Sequence, residues 1–179
     1  SVKSSVGPRL QRRTGLAILD TDEMVASSLG MSIPEIFSRH GEKKFRKAET
    51  ETLRTLSTTK RAVIATGGGM VLRKENMEIL KRLGPIVWLD GNEETLFARV
   101  SRKTDRPLLR TKNPRKAFSQ ILDERRPLYA KIADIRIDTS ELTGEEGAPA
   151  ILRKVKKANS KGASPYHRQI MTQVPTSDK

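Results

Sequence analysis

The chain has 179 residues, a formal net charge of +14 and no cysteine. That length suits one domain with a sizeable core, and the missing thiols exclude disulfides, thiolate nucleophiles and thiolate metal sites. The positive charge points to a polyanionic partner (nucleic acid, a membrane surface or a phosphorylated substrate), but at 4% aromatic residues there is little material for stacking bases.

In chain order, Arg9 to Arg13 is a basic helical stretch closed by Gly15, and Leu16–Leu19 is a short apolar strand running into Asp20-Thr21-Asp22. A helix is expected from Glu23 to Leu29, stopped by Gly30. Ser32, with Glu35 three residues on, is a capping box for a second short helix that Gly41 breaks. A long helix follows from Glu42 to Leu56. Ala62-Val63-Ile64-Ala65 is a fully buried strand ending in Thr66-Gly67-Gly68-Gly69, where the absent Cβ atoms let backbone amides meet a ligand. Next come a helix at Lys74–Leu83, a buried strand at Ile86–Leu89 and a helix from Glu93 to Arg102. Arg102 to Lys116 is basic, contains two prolines and reads as a mobile loop. Helix resumes from Ala117 to Ile132 with an interruption near Pro127, then a strand at Ile135–Asp138 and a helix over Ala150–Val155. Alternating strands and helices imply βαβ units and a parallel sheet. The division expected is one α/β domain over 1–157 and a basic tail without order over 158–179. His40 and His167 lie too far apart for a metal motif, no run approaches the roughly 20 apolar residues of a membrane span, and no signal peptide is visible, so a soluble cytoplasmic protein is expected.

Several short stretches could carry chemistry. Lys3-Ser4-Ser5 resembles the end of a phosphate-binding loop, in which Lys meets phosphate and Ser a magnesium ion, although alone it is background. Asp20 and Asp22, two apart at a strand end, share a face if extended; they either serve a cation and a ligand hydroxyl or cap the next helix. Arg46 and Glu49, three apart, read equally as a helix-surface ion pair. Arg106 and Arg125 each lie in an Arg-Pro-Leu context, directly or one residue on, which suits bidentate capture of a carboxylate or phosphate.

The ordered set resembles the shikimate kinase family of nucleoside-monophosphate-kinase-like P-loop enzymes. It is carried by Lys3-Ser4-Ser5-Val6-Gly7, Asp20-Thr21-Asp22-Glu23, Gly30 to Phe37, Gly41 to Glu49, Thr66-Gly67-Gly68-Gly69, Arg106-Pro107-Leu108-Leu109 and Arg125-Arg126-Pro127-Leu128-Tyr129. The resemblance implies a three-layer α/β sandwich with a parallel sheet and a mobile lid. It implies transfer of the ATP γ-phosphate to the 3-hydroxyl of shikimate, a step of aromatic amino-acid biosynthesis, with ATP and Mg2+ required and a monomer expected. In that frame Lys3 contacts the transferred phosphate, Ser4 and Asp20 hold Mg2+, and Ser5 belongs to the nucleotide site. Asp22 orients the attacking hydroxyl, and Arg46 and Arg125 clamp the shikimate carboxylate. Gly67, Gly68 and Gly69 lie beside the substrate, Phe37 and Phe45 wall its ring, and Glu49 fixes Arg46. Arg106 closes with the lid, Arg102 lies near the nucleotide, and the adenine contact falls in Asp138–Pro149. The family's first strand and the front of its phosphate loop have no counterpart in the chain as given, which predicts weak ATP binding and slow turnover. A non-catalytic shikimate-binding relative and a basic nucleic-acid-binding module are the alternatives; the Asp20-Thr21-Asp22, Arg46 and glycine set favours shikimate over a sugar acid such as gluconate.

Overall fold

The computed structural model describes residues 2–57, 61–101, 111–159 and 169–173, of which 2–5, 144, 158–159 and 169–173 are described as backbone only. The elements are α1 (Val2–Thr14), β1 (Ala17–Asp20), α2 (Thr21–Leu29), α3 (Ile33–Leu56), β2 (Ala62–Thr66), a 3-10 turn (Gly68–Leu72), α4 (Lys74–Leu83), β3 (Ile86–Asp90), α5 (Glu93–Ser101), α6 (Pro114–Ile132), β4 (Ile135–Asp138), α7 (Gly144–Asn159) and β5 (Gln169–Gln173).

All strand pairs are parallel, in the order β1-β2-β5-β3-β4. β2 and β3 are buried along their whole length, as their unbroken apolar sequences require of strands covered on both sides. Successive residues sort to opposite faces. Val63, Val87, Leu89, Ile135 and Ile137 pack with Val6 and Leu10 of α1 and Ala148, Ile151 and Val155 of α7. Ile64, Ile86 and Trp88 pack with α3, α4, α5 and α6 through Leu53, Leu80, Leu96, Leu122 and Tyr129. The result is the expected three-layer α/β sandwich. Each fully buried Leu or Ile in these layers contributes about 1.5–3 kcal/mol. A third, smaller cluster of Val25, Ile36, Phe45 and Ala48 joins α2 to α3 beyond the sheet.

Gly41, at φ 75° and ψ 174°, is non-helical and divides α3 into a short helix and a long one, the break expected there. The elements differ from the sequence reading chiefly in three places. α1 starts at Val2 and carries Pro8 inside it, where the basic stretch from Arg9 was expected to be the helix. α6 starts at Pro114, capped by Asn113, and passes Pro127 unbroken. The third concerns the tail expected to lack order from Ala158. α7 runs to Asn159, and Gln169–Gln173 forms β5, in register with Val63–Thr66 on one side and Ile86–Leu89 on the other. Two buried parallel strands each need a partner for their inner backbone groups, and the segment Gln-Ile-Met-Thr-Gln serves both.

Candidate active site

Asp20 ends β1 and is the N-cap of α2, its Oδ1 accepting the Asp22 N–H at 2.9 Å. The chain turns into helix at Thr21, so the two carboxylates do not share one face of an extended strand; of the two readings left open by the sequence, Asp20 follows the helix-capping one. Asp22 lies instead in the first turn of α2, where unpaired N–H groups favour negative charge. The neighbouring strand ends in register, Asp20 opposite Ala65, which brings the start of α2 against the glycine turn. The Gly67 N–H reaches Thr21 Oγ1 at 3.4 Å, and a Cβ added to Gly67 would come within 2.6 Å of Asp22 Oδ1. Gly67 has φ −67°, so glycine is needed there for room, not for conformation.

Arg46 projects from α3 beyond the Gly41 kink and is 6% exposed. Its Nη1 donates to Glu49 Oε2 at 2.8 Å, while Nε and Nη2 donate to Glu42 Oε1 at 3.3 and 3.2 Å. The guanidinium lies 5.3 Å from the Phe45 ring centre, and Phe45 meets Phe37 with centres 4.7 Å apart. A buried cation fixed by two carboxylates and an aromatic face holds one orientation. Its backbone is held too. The Arg46 carbonyl accepts from Arg73 Nη1 at 3.4 Å, and the Thr50 hydroxyl shares its one proton between that carbonyl at 3.1 Å and Asn76 Oδ1 at 2.8 Å. Asn76 Nδ2 in turn donates to the Met70 carbonyl at 3.1 Å, in the 3-10 turn that follows Gly67.

Arg125 approaches the same turn by way of α6. One helical turn on, Tyr129 is fully buried and its hydroxyl donates to the Gly68 carbonyl at 2.5 Å. Arg125 itself is 4% exposed, and its buried Nε and Nη1 have no hydrogen-bond partner among the described residues. A buried guanidinium with two donors unmatched is costly unless a ligand supplies acceptors. Asp22, Gly67, Gly68, Arg46 and Arg125 are thus tied to one glycine turn from three directions. Glu42, Thr50, Arg73, Asn76 and Tyr129 were not singled out from the sequence. Glu42 could have been found four residues before Arg46, and Tyr129 by asking what a buried hydroxyl four residues after Arg125 bonds to.

Of the residues expected on the nucleotide side, Lys3, Ser4 and Ser5 lie in the first turn and a half of α1, with no side chain described. Arg102 and Arg106 lie outside the described residues. α1 leads into β1 within two residues, so its N-terminus stands at the carboxyl edge of the parallel sheet, where β5 also ends. At that edge Arg99 spans from α5 to the segment after β4. Its Nη1 donates to Thr139 Oγ1 at 2.8 Å and its Nη2 to the Thr139 carbonyl at 2.6 Å. In sequence Arg99 looks like an ordinary dipole-favoured cation at a helix C-terminus.

A parallel α/β sheet with helices on both faces, presenting an anion-and-hydroxyl cradle at its carboxyl edge, defines a small-molecule α/β enzyme of the P-loop kinase type. A family model described as shikimate kinase matches residues 1–156. The shikimate kinase of Thermodesulfovibrio yellowstonii is 43% identical over 158 residues, 88% of this chain and 91% of the relative. That of Caldanaerobacter subterraneus is 40% identical, over 84% of this chain and 88% of the relative. Among solved structures, Acinetobacter baumannii shikimate kinase in complex with shikimate superposes with a TM-score of 0.81 at 35% identity, covering 87% of each chain. The Aquifex aeolicus enzyme gives 0.75 at 37%, covering 90% of this chain and 93% of that one. The chain belongs to the shikimate kinase family.

Proposed function

We propose that this protein transfers the γ-phosphate of ATP to the 3-hydroxyl of shikimate. The observation that carries the reading is Arg125, a buried guanidinium whose Nε and Nη1 have no protein acceptor among the described residues, set one helical turn from the residue that holds the glycine turn. Unmatched donors on a buried guanidinium are met by an anionic ligand that brings several acceptor oxygens, as a carboxylate does. Arg46, pinned by Glu42 and Glu49, adds the second positive charge. Phe37 and Phe45 form the apolar wall for the ring. Asp22, in the first turn of α2 and against Gly67, accepts a hydrogen bond from the attacking hydroxyl and turns its lone pair toward the phosphate, a role that needs only an ionised carboxylate at the right place.

The nucleotide is assigned to the N-terminal end of α1 and the segment 138–149. The α1 terminus offers unpaired N–H groups to phosphate, with Lys3 and Ser5 in its opening turns. Arg99 braces the segment that would meet the adenine. Arg102 and Arg106 are assigned to the lid over the phosphates. Mg2+ takes oxygen ligands and commonly only one or two from protein. Asp20, at the carboxyl edge, fits such a sparse donor set, and no group of three or more potential ligands occurs among the described residues. Ser4 and Asp20 would hold the ion, which neutralises phosphate charge when bound. No helix among the described residues is long and apolar enough to cross a membrane, and a cytoplasmic monomer completes the reading.

Coupled ADP release with ATP, Mg2+ and shikimate tests this. Asp22→Asn is expected to lower kcat by about 10²–10⁴-fold with its fold intact. Arg125→Ala is expected to raise the shikimate KM by about 100-fold and leave the ATP KM nearly unchanged. ADP release indifferent to shikimate would overturn the assignment.

A further inference from the structure

A cleft of about 620 Å3 lies on the far flank of α6, lined by Trp88, Asp90, Asn92, Asp123, Arg126, Pro127, Ala130, Arg136 and Asp138 among others. Of these only Asp138, the first residue of the segment assigned to the nucleotide, belongs to either site described above. Its floor is an ion cluster around the buried Asp90, with Arg126 half-buried and the Arg136 side chain exposed. Asp90, 1% exposed, accepts from Arg126 Nη2 at 3.4 Å on Oδ1 and from Arg136 Nε at 2.9 Å on Oδ2. Arg126 Nη2 also donates to the Gly91 carbonyl at 2.7 Å, and the Arg136 guanidinium lies 4.9 Å from the Trp88 ring centre. Two guanidinium groups against one carboxylate leave this floor with one net positive charge.

Two donors on it are unmatched. Trp88 Nε1 and Arg126 Nε are both buried and make no hydrogen bond among the described residues. Trp88 is buried and lines the cleft, as does Arg126. Buried N–H groups almost always find an acceptor, and two unmatched ones on residues that line one cleft call for an acceptor there. The rim has the opposite sign. Asp123 and Asp138 are exposed carboxylates, and hydrogen bonds from the Ser140 hydroxyl and N–H hold the Asp138 pKa below the ordinary carboxylate range, so it is ionised at neutral pH. Pro127 and Ala130 supply an apolar wall.

We propose that this cleft binds a small α-amino acid as its zwitterion. The carboxylate takes the Trp88 and Arg126 donors on the positive floor, the ammonium faces Asp123 and Asp138, and a short apolar side chain lies on Pro127 and Ala130. A simple anion meets the rim carboxylates and a simple cation meets the guanidinium floor; only a ligand carrying both charges satisfies both ends. A cleft of this volume accommodates such a molecule with room for bound water.

Trp88 is the only tryptophan in the chain, so its emission reports on this cleft directly. The full chain would be titrated with L-leucine, with 4-methylpentanoate (which keeps the carboxylate) and with 3-methylbutylamine (which keeps the amine). The expected result is a saturable emission change with L-leucine at a Kd on the order of 1 mM, and each half-ligand about tenfold weaker or worse. Asp123→Asn should weaken L-leucine by about three- to tenfold, bind 4-methylpentanoate at least as well as the parent does, and leave shikimate phosphorylation unchanged. Asp22→Asn should not alter the titration, which separates this site from the kinase site. No saturable change up to about 20 mM L-leucine, well above that Kd, or equal binding of 4-methylpentanoate, would overturn the proposal and leave the two donors to water.

Discussion

Around the glycine turn, the parts proposed to meet the acceptor are neighbours in space and are locked by short polar links: Thr21 to Gly67, Asn76 to Met70, Tyr129 to Gly68, Glu49 to Arg46. The nucleotide end is assembled differently. There α1 packs on α7 from the other end of the chain, and the strand that joins β2 to β3 is β5, about 100 residues after one and 80 after the other. Gly147 comes so close to Val6 that an added Cβ would lie 2.8 Å from Val6 Cγ2, so this packing depends on fit between distant segments. One half is fixed by local hydrogen bonds; the other depends on the last strand arriving. Loop closure of that length has an entropic cost that grows slowly with chain length, so the arrangement is affordable, but it is concentrated in few residues.

The sharpest way to break this contrast is Ile170→Pro. A proline in a central strand removes a ladder hydrogen bond and leaves a buried acceptor unmatched. Both β2 and β3 lose register with it, and a loss on the order of 3–5 kcal/mol is expected, a large share of a domain's stability. Thermal melting of the full chain would register this as a collapse of Tm. Hydrogen exchange on the unmutated chain gives an independent check: amides of Gln169–Gln173 should be protected like those of Ala62–Thr66. Exchange within seconds at 169–173 beside a protected β2 would show that the sheet closes without this strand.

Gly67→Ala probes the local half and should do the reverse. The backbone there tolerates any residue, and the atom displaced is the tip of the Asp22 side chain, which can swing aside. Stability should change by no more than about 0.5 kcal/mol. The same swing moves the carboxylate by about an ångström, and kcat/KM for shikimate should fall about 100-fold. Equal losses in Tm and activity would mean that Gly67 is structural and that Asp22 does not need its observed place.

This contrast also explains what could be read in advance. The acceptor side was legible because its chemistry is written in contiguous words: Asp20-Thr21-Asp22, the Arg46–Glu49 spacing and the glycine run. The layers were legible because Val63 and Ile64, or Val87 and Trp88, alternate between two apolar faces. What escaped was long-range. Tyr129 and Asn76 act through backbone carbonyls 61 and 6 residues away, which no spacing rule singles out. Gln169–Gln173 looked like part of a polar tail because only two of its five residues are strongly apolar; its place is decided by the needs of β2 and β3, not by its own pattern. Gly41, by contrast, was legible as a break, because glycine reaches the φ of 75° that separates the two halves of α3 there.

That kink sets the smallest of the expected effects. Glu35 accepts from the Ser32 N–H at 2.9 Å and the Ser32 hydroxyl at 2.6 Å, and with Arg39 nearby these bonds hold its pKa below the ordinary carboxylate range. A carboxyl whose pKa is depressed on folding adds stability at pH values above its unfolded pKa of about 4.3, and that contribution fades as the pH falls through the lowered folded value. Glu35→Gln should therefore melt below the parent at pH 7, by no more than about 2 °C, and the two should converge as the pH drops below about 4. Shikimate KM at pH 7 should not move. The capping box anchors only the part of α3 before Gly41, whereas Arg46 is held after the kink by Glu42, Glu49, Thr50 and Arg73. A raised KM in Glu35→Gln would show that the kink transmits strain from the helix start to the guanidinium, and that the local half of the site reaches further along α3 than its hydrogen bonds do.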